Sequence, residues 1–437
     1  MSHFVRASKF RHVFCDPPKP QDCWTGFRLS TATGEQNYIN CSTKFFSVAV
    51  QGGGGSFAVV PLDAPGRFET GSPVVAGHTS AVLDTAWNPF HDNVVASGSD
   101  DASIKVWGIP EGGLTEHMTE PLVDLRGHER KVTLLEFHPT ANNVLASCSG
   151  DFTIRLWDVE KGTECVTLAG NPELIQDMAW SIDGAMFANS CKDKTVRLWD
   201  TRGGTVASEI AQAHEGAKSV KMSFLGGFGT LLTVGFTRQS QRQFKIWDPR
   251  ALAEPLTTVA IDQAAGVIMP FYDPDTHLLY LAGKGDGNVR YYEMTDGAPH
   301  QFAVSEHRST TAQKGMACVP KRGLDVMRCE TSRMLKLTSN SVEPLSFVVP
   351  RKSESFQEDI FPDTAGGTPA ISADEFFAGQ DSMPVTMSLR PGAAGAGGQQ
   401  AFTPAKSAAQ LQRELDEANA RIELLTKRLA DAGLSTE

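Results

Sequence analysis

The stretch VVASGSDDASIKVWG, residues 94–108, returns fifty residues later as VLASCSGDFTIRLWD, residues 144–158. Each copy contains an apolar, β-branched run, a turn with an aspartate, and a second run that ends in tryptophan. Short runs of this kind separated by Gly or Asp turns are typical of β-hairpins. The two copies therefore predict a repeated all-β unit.

An aspartate stands six residues before an aromatic side chain in four of the five copies of the repeat. The aromatic positions 107, 157, 199, 247 and 292 are 42 to 50 residues apart, close to the length of one four-stranded propeller blade. The tryptophan copies pair Asp101 with Trp107, Asp151 with Trp157, and Asp193 with Trp199; weaker copies have Asp286 with Tyr292, and Trp247 with Gln241 in place of the aspartate.

A histidine adds a second spacing, because His78 and His128 each lie 23 residues before the aspartate of their unit. These residues resemble the WD-repeat family, in which His, Asp, Ser or Thr, and Trp form a hydrogen-bonded chain that ties the strands of a blade together. A catalytic triad of His78, Asp101 and Ser103 is disfavoured, since the set recurs in successive blades whereas an enzyme needs one site.

The other motifs of catalysis and metal binding are missing from the sequence. It has no P-loop, nucleophile elbow or His-Glu-x-x-His, and its eight cysteines do not have zinc-ligand spacing. We therefore expect a protein that is not an enzyme and that uses no cofactor or metal.

Seven blades can be counted over residues 1–349. A divergent blade with a Gly52–Gly55 turn precedes the clear units, and the strands of residues 314–349 follow them. An open ring would leave an unpaired strand edge, so we predict that a strand at about 9–14 closes the last blade. The expected fold class is all-β, a seven-bladed WD-repeat β-propeller.

The charge is unevenly distributed along the 437 residues. The net charge of −11 disfavours nucleic acid as a partner, yet residues 1–70 contain seven Lys or Arg against five Asp or Glu. No apolar run reaches the roughly 18 residues of a membrane span, and the N-terminus does not resemble a signal peptide. We expect a cytoplasmic protein with its positive charge near the N-terminus.

Three motifs outside the repeat carry a more specific resemblance. The segments SKFRHVF (8–14), PKRGLDVMRCE (320–330) and VPRKSESFQEDIFPDTAG (349–366), together with the terminal helix, resemble the coronin family. That resemblance implies a seven-bladed propeller that binds filamentous actin in the cytoskeleton, forms oligomers, and influences the Arp actin-nucleating complex or cofilin.

One residue carries over from that family by its motif. The family's Cys-aromatic-x-x-aliphatic-Arg stretch resembles CWTGFRLS, residues 23–30, which has Phe27 at the aliphatic position, and places its filament-binding arginine at Arg28. Actin filaments are acidic, so cations on one face would orient an acidic protein toward them. The candidate actin-binding residues are Arg28, Lys9, Arg11, Lys19, Lys44 and Arg67.

Three segments follow the propeller. Residues 350–390 are expected to pack on the propeller, because Phe356, Ile360, Phe361, Phe376 and Phe377 are spread among their acidic and turn residues. Residues 391–406 are rich in Gly and Ala, which predicts a flexible linker. Residues 407–433 have a capping box, an apolar heptad and a terminal glycine, which predict a short α-helical coiled coil.

The tail is expected to join copies of the chain into a homo-oligomer. It matches the coronin trimer signature at Arg421, Ile422 and Leu425 but has Thr426 where that signature has Glu, so a trimer and an even-numbered oligomer both stay open. The predicted oligomerisation residues are Leu411, Leu415, Ala418, Arg421, Ile422, Leu425 and Leu429.

The leading hypothesis is an actin-filament-binding protein that bundles or cross-links filaments. The alternative is a general WD-repeat scaffold in trafficking or ubiquitin-type complexes, for which an actin contact would be incidental.

Overall fold

Seven antiparallel sheets are arranged as the blades of a propeller in the computed structural model, which describes residues 7–393, 402, 419, 421 and 422. Blades 2 to 6 each have four strands that follow one another along the chain. Blade 2 has Val82–Trp87, Val94–Ser99, Ser103–Gly108 and Val123–Arg126; blade 3 has Val132–Phe137, Val144–Ser149, Ile154–Asp158 and Thr163–Leu168; blade 4 has Ile175–Trp180, Phe187–Cys191, Val196–Asp200 and Thr205–Ile210; blade 5 has Lys221–Leu225, Thr230–Phe236, Arg242–Trp247 and Thr257–Asp262; blade 6 has Ile268–Asp273, Leu278–Gly283, Val289–Met294 and Gln301–His307.

Blade 1 is the least regular sheet. Its three strands are Ile39–Cys41, Phe45–Val50 and Ser56–Pro61, and Val75 adds a single antiparallel bridge to Phe57 in place of a fourth strand.

Blade 7 combines the two ends of the propeller sequence. Its strands are Gly315–Cys318, Glu330–Leu337 and Ser341–Val348, with Phe14–Asp16 paired antiparallel to the end of the third. At the start of that third strand, Trp24–Thr25 pairs antiparallel, and Gly66–Arg67 lies parallel to Trp24–Thr25. Three short 3-10 helices, Pro20–Asp22, Lys321–Gly323 and Val326–Arg328, lie in the connections.

The closing strand begins later than the sequence predicts. Residues 9–12 form turns rather than a strand, and pairing starts at Phe14, where the predicted segment ends. The reason is that Phe10 and Val13 turn into the core between blades 6 and 7, where both are buried. The Tyr291 hydroxyl holds this turn by donating to the Val13 carbonyl at 3.0 Å.

The core lies between neighbouring blades. The second strands of blades 2 and 3 are buried along their whole length, which explains why VVASGS and VLASCS lack polar alternation. The outer strands are half exposed, as in Thr163–Leu168, where only the last residue is buried.

Blades 2 and 3 contain the same hydrogen-bonded brace. In blade 2, the His78 Nδ1 lies 3.0 Å from the Asp101 carboxylate, and its Nε2 lies 2.8 Å from the Ser97 hydroxyl. The Trp107 indole donates to the same hydroxyl at 2.8 Å. In blade 3, the corresponding residues His128, Asp151, Ser147 and Trp157 are joined by distances of 3.0, 2.7 and 2.8 Å.

Blade 4 has a variant of the brace. Asn171 replaces the histidine, and its side-chain oxygen accepts from Asn189 at 3.0 Å, while Trp199 donates to Asn189 at 2.6 Å. Asp193 instead pairs with Arg197 at 2.6 Å.

In blade 5, the Trp247 indole and His214 Nε2 both lie 2.9 Å from the Thr233 hydroxyl. Gln243 contacts the other ring nitrogen of His214 at 3.2 Å, because this blade has no aspartate for it. The aromatic and the bridging polar group persist in all four blades.

The segment of residues 350–390, called the extension below, packs on the propeller. Its α-helix Ala373–Phe377 is capped by Ser372, and its strands Thr364–Ala365 and Thr386–Met387 pair with each other. Ile360, Phe361 and Phe376 are buried. The predicted fold class is confirmed for the propeller and this extension.

The rest of the C-terminal region is described at few positions. Of the predicted linker 391–406, the Phe402 ring lies 6.1 Å from the His91 ring of blade 2. Arg421 and Ile422 are helical and exposed. The other predicted oligomerisation residues lie outside the described residues: Leu411, Leu415, Ala418, Leu425 and Leu429.

Candidate partner-binding surface

Arg28 is presented by a short segment that is fixed on both sides. Its neighbours Phe27 and Leu29 are buried, whereas Arg28 itself is exposed, as expected for alternating side chains on an extended chain. Among the described residues its guanidinium has no hydrogen-bond or ion-pair partner. The Arg28 carbonyl accepts from the Gln51 amide at 2.7 Å, so the backbone is fixed while the charge stays available.

Aromatic packing determines where this segment lies. Phe27 stacks on Phe68 at 5.2 Å and meets the edge of Phe46 at 6.0 Å, and Trp24 meets Phe46 at 5.1 Å. The Trp24 indole donates to the Ala64 carbonyl at 2.9 Å. These contacts anchor the segment against blade 1, at its junction with blade 7.

Gly26 permits the tight approach at this point. Its φ is +89°, and a Cβ there would lie 2.7 Å from the Phe68 carbonyl oxygen, closer than side chains tolerate. The Gly26 and Phe27 amides both donate to the Asn340 carbonyl, at 3.0 and 3.3 Å. A glycine two residues before Arg28 is therefore required by the local geometry.

The chain after Arg28 enters the central channel of the propeller. Lys221 and Lys284 donate to the carbonyls of Glu35 and Gln36, each at 2.7 Å. The Tyr38 ring has Lys284 at 4.9 Å and Lys314 at 5.2 Å from its centroid. Burial, and secondarily the charge of Lys221, lowers the pKa of Lys284 to about 8.

Lys314 connects this channel segment to Arg28. Its ammonium donates to the Ser30 carbonyl at 3.0 Å while it also contacts the Tyr38 ring. Lys314 and Tyr38 were not predicted from the sequence, because they are far apart in the chain and neither belongs to a local motif. In the sequence, only their residue types, a cation and an aromatic ring, are compatible with such a contact.

Arg67 shares the surface of Arg28. It lies on the short strand that runs parallel to Trp24–Thr25, and its side chain approaches Gly26. Its guanidinium is exposed, with Glu69 at 3.7 Å. Of the six predicted cations, these two lie together.

The other four cations differ in their surroundings. Lys9 donates to the Asp359 carbonyl of the extension at 2.9 Å, and Lys44 pairs with Glu111 at 2.8 Å. Arg11 is exposed in the turn before Phe14–Asp16, and Lys19 is exposed just before the 3-10 helix Pro20–Asp22, where it lines the same pocket as Trp24. Phe14 pairs with Val348 and Trp24 with Val342, so Phe14 lies six residues, about 20 Å, from Trp24 along the third strand. The six cations therefore do not form one patch.

The described residues contain no group of His, Cys, Asp or Glu arranged to hold a metal ion. Their helices include none with the length and apolar character needed to cross a membrane.

Comparisons with known proteins agree with this architecture. Models of the WD domain, G-beta repeat, match residues 71–108, 119–158 and 162–200; a type of WD40 repeat matches 342–384; and a domain of unknown function, DUF1899, matches 3–67. Coronin-A of Dictyostelium discoideum is 44% identical over 393 residues, which are 90% of this chain and 87% of that protein. The chain belongs to the coronin family.

Solved structures support the same assignment. The WD40 domain of Toxoplasma gondii coronin matches with a TM-score of 0.82 at 30% identity, covering 89% of this chain and 99% of that one. A chain of the mitotic checkpoint complex, at 17% identity and a TM-score of 0.58, covers 80% of this chain and 98% of its own and shares the fold alone. The DUF1899 match contains Arg28, which lies outside the residues that the WD-repeat models match.

Proposed function

We propose that this coronin-family chain binds actin filaments through the surface of Arg28 and Arg67, and that its tail joins copies into an oligomer that cross-links filaments. The proposal is of a binding protein in the cytoplasmic actin cytoskeleton rather than an enzyme.

The observation that carries the proposal is the fixed, unpartnered charge of Arg28. Most other arginines of the propeller have carboxylate partners, as Arg242 does with Asp262 and Asp286. Arg28 has a rigid backbone and a free guanidinium, which suits a charge-assisted contact with an acidic partner because little ordering is needed on binding.

Joining several propellers would raise the strength of filament binding. Each propeller of an oligomer adds a contact whose effective concentration is set by the tether, so weak single contacts add up along a repeating filament. The heptad of residues 407–433 supports this part of the proposal.

The test is co-sedimentation with actin filaments at several salt concentrations. The full chain is compared with Arg28→Asp, with a chain ending at residue 390, and with Arg250→Asp as a control. Arg250 is 90% exposed on blade 5 and is far from Arg28 in the fold. Losing a charge-assisted contact costs about 1.5 to 3 kcal/mol, so Arg28→Asp is expected to weaken binding about tenfold or more.

The chain ending at residue 390 should sediment as a monomer in ultracentrifugation and bind filaments more weakly, and Arg250→Asp should bind like the parent. If the full chain stays in the supernatant even at low salt, or if both substitutions act alike, the proposed surface is wrong. Effects on the Arp complex and on cofilin belong to the same proposal and are tested by adding each to actin assembly assays with the parent chain and Arg28→Asp.

A further inference from the structure

A cavity of about 580 Å³ lies between the extension and one end of the propeller. The loops that join the first and second strands of blades 2, 3, 4 and 6 line it together with blade 7, and residues 364–366, 383, 384 and 386 of the extension form its remaining wall. Arg28 lies at the other end, because its carbonyl is bound by Gln51 in the turn between the second and third strands of blade 1. The cavity volume is in the range of small-molecule sites, about 300 to 1,000 Å³.

Most of the cavity wall is apolar. Met383 of the extension lines the cavity and is 58% exposed, so its side chain is left largely uncovered by the protein. A ligand that covers this apolar surface removes it from water, which favours binding. The cavity therefore suits an occupant with an apolar body. The wall also includes Phe90, Ile182, Phe271, Tyr272, Pro320 and Leu324.

The charged side chains of the wall leave an excess of negative charge. Arg322 binds the Asp92 carboxylate with one contact of 2.6 Å. Lys321 pairs with Asp273. Asp275 is the remaining carboxylate of the wall, and the cation within ion-pair distance of it is the same Lys321, at 3.5 Å. Three carboxylates therefore share two cations.

Asp275 presents a free carboxylate oxygen where the extension meets the propeller. Its Oδ2 accepts from the Thr364 hydroxyl of the extension at 2.6 Å. Its Oδ1 accepts no hydrogen bond in the described part of the chain but stays accessible, and the side chain is 14% exposed. Burial and the charge of Asp273 raise the pKa of Asp275, although Lys321 opposes this shift. A further cation beside Oδ1 would therefore stabilise the ionised carboxylate.

We infer that this cavity binds a small amphiphilic cation, an amine whose ammonium contacts Asp275 while its apolar body covers Met383 and the propeller loops. An anion is disfavoured by the excess negative charge, and a neutral amphiphile lacks the charge that would pair with Asp275. The extension forms one wall, so the site exists only while the extension is packed on the propeller. The site is separate from the Arg28 surface and does not depend on actin binding.

Cys318 reports on occupancy of the cavity. Its side chain is exposed and lines the cavity. Cys165 is also exposed but lies on the outer strand of blade 3. A ligand in the cavity should slow alkylation of Cys318 and leave that of Cys165 unchanged.

The experiment titrates the full chain with dansylcadaverine, a primary amine whose emission shifts to the blue in apolar sites. Its neutral counterpart, N-pentyl dansylamide, has the same ring system and alkyl chain without the terminal ammonium. We expect saturable binding of one dansylcadaverine per chain, about tenfold tighter than that of the neutral compound. Bound dansylcadaverine should also slow alkylation of Cys318 by iodoacetamide, as measured by peptide mass spectrometry.

Asp275→Asn keeps an oxygen that can accept from Thr364 but removes the charge, so the affinities of the two compounds should come within about twofold of each other. Asp100→Asn is the matched control, because Asp100 is exposed in the turn between the second and third strands of blade 2, at the end of the propeller opposite the cavity. That variant should keep the tenfold preference.

If Asp275→Asn fails to fold, the preference for the cation and the protection of Cys318 in the parent chain still decide the matter. Non-saturable emission, equal affinity of the parent for both compounds, or equal protection of Cys318 and Cys165 would each overturn the inference. An unchanged preference for the cation in Asp275→Asn would overturn it as well.

Discussion

The aspartate of a WD unit connects two parts of its blade, the turn that follows it and the segment that contains the histidine. One carboxylate oxygen of Asp101 accepts from the Ser103 amide at 2.9 Å, and the other accepts from the Thr79 amide at 2.9 Å and contacts His78. Between them, Ala102 has a φ of +65°, a left-handed conformation that the aspartate stabilises. Burial would raise the pKa of Asp101, but the hydrogen bonds from His78, Ser103 and Thr79 outweigh burial and lower it.

The Ser97 hydroxyl is the shared partner of the histidine and the tryptophan. Replacing it by alanine leaves the His78 Nε2 and the Trp107 indole buried without partners, and each lost partner costs about 1 to 3 kcal/mol. We expect Ser97→Ala to lower the free energy of unfolding in urea by roughly 2 to 4 kcal/mol. Thr258→Ala, at an exposed position on the outer strand of blade 5, should change it by less than about 0.5 kcal/mol.

Sequence spacing could point to the histidine, aspartate and tryptophan of this brace because they lie at fixed intervals. The family resemblance calls for a Ser or Thr without saying which one, and the structure uses Ser97 to join His78 with Trp107. Ser103 contacts both the aspartate and the histidine. The bridging hydroxyl lies on the neighbouring strand. Which residue of that strand faces the histidine depends on the pairing register, and the residue spacing within one hairpin does not determine the register.

At the scale of elements, the extension is held by a buried aromatic cluster. Phe376 lies 4.4 Å from the His138 ring and 5.9 Å from Trp180, and Arg202 lies 5.2 Å over the Phe376 ring. Arg202 also pairs with Asp381. Packing of the extension was predictable from its aromatic residues, but its docking place was not, because the receiving side chains come from different blades.

His138, beside the docked Phe376, is expected to make the stability of the fold sensitive to pH. Burial lowers its pKa to about 4 from 6.5, and its Nδ1 accepts from the Ala141 amide at 2.8 Å, so protonation would oppose that bond. The folded state therefore binds fewer protons than the unfolded state between these values, and stability falls as pH drops from about 6.5 to 4, by about 3 kcal/mol.

The measurement is urea unfolding at pH 7 and pH 4.5 for the parent chain and His138→Asn. His214 has the same sign of shift, so the informative quantity is the difference between the two proteins. The parent should lose more stability than the variant on acidification. Equal losses would show that His138 is not the source of the loss of stability on acidification.

Blade boundaries were harder to predict than blades. The aromatic of a unit does not mark the end of its blade, because the outer strand follows it, as Val123–Arg126 follows Trp107 in blade 2. These outer strands are half exposed and carry a weaker apolar pattern. Their membership in a blade depends on pairing, which the apolar pattern does not encode.

For the whole molecule, closure of the ring depends on residues from both ends of the propeller sequence. Phe14–Asp16 covers an edge of blade 7, while Phe10 and Val13 fill the core beside it. The number of blades follows from counting the repeats. The need for closure follows because an open ring would leave a strand edge unpaired. The exact closing residues do not follow from either, since they depend on which side chains turn into the core.

Deleting residues 1–16 is expected to expose the edge of Ser341–Val348 and to remove two buried apolar side chains, each worth about 1.5 to 3 kcal/mol. The shortened chain should unfold at a lower temperature and aggregate more readily, as measured by calorimetry and light scattering. A chain with only Lys9→Ala and Arg11→Ala, both exposed, is the control and should behave like the parent. An unchanged unfolding temperature after the deletion would contradict the role of this strand.

Blade 7 joins strands from both ends of the propeller sequence, so its first strands are synthesised well before their pairing partners. Trp24 reaches the ribosome exit long before its partner Val342, and translation at about 5 to 20 residues per second separates the two by roughly 15 to 65 s. Throughout that interval Phe10 and Val13, whose neighbours belong to blades 6 and 7, have no core to join. The same pairing that completes the ring therefore leaves apolar side chains of the newborn chain in water until its last blade is translated.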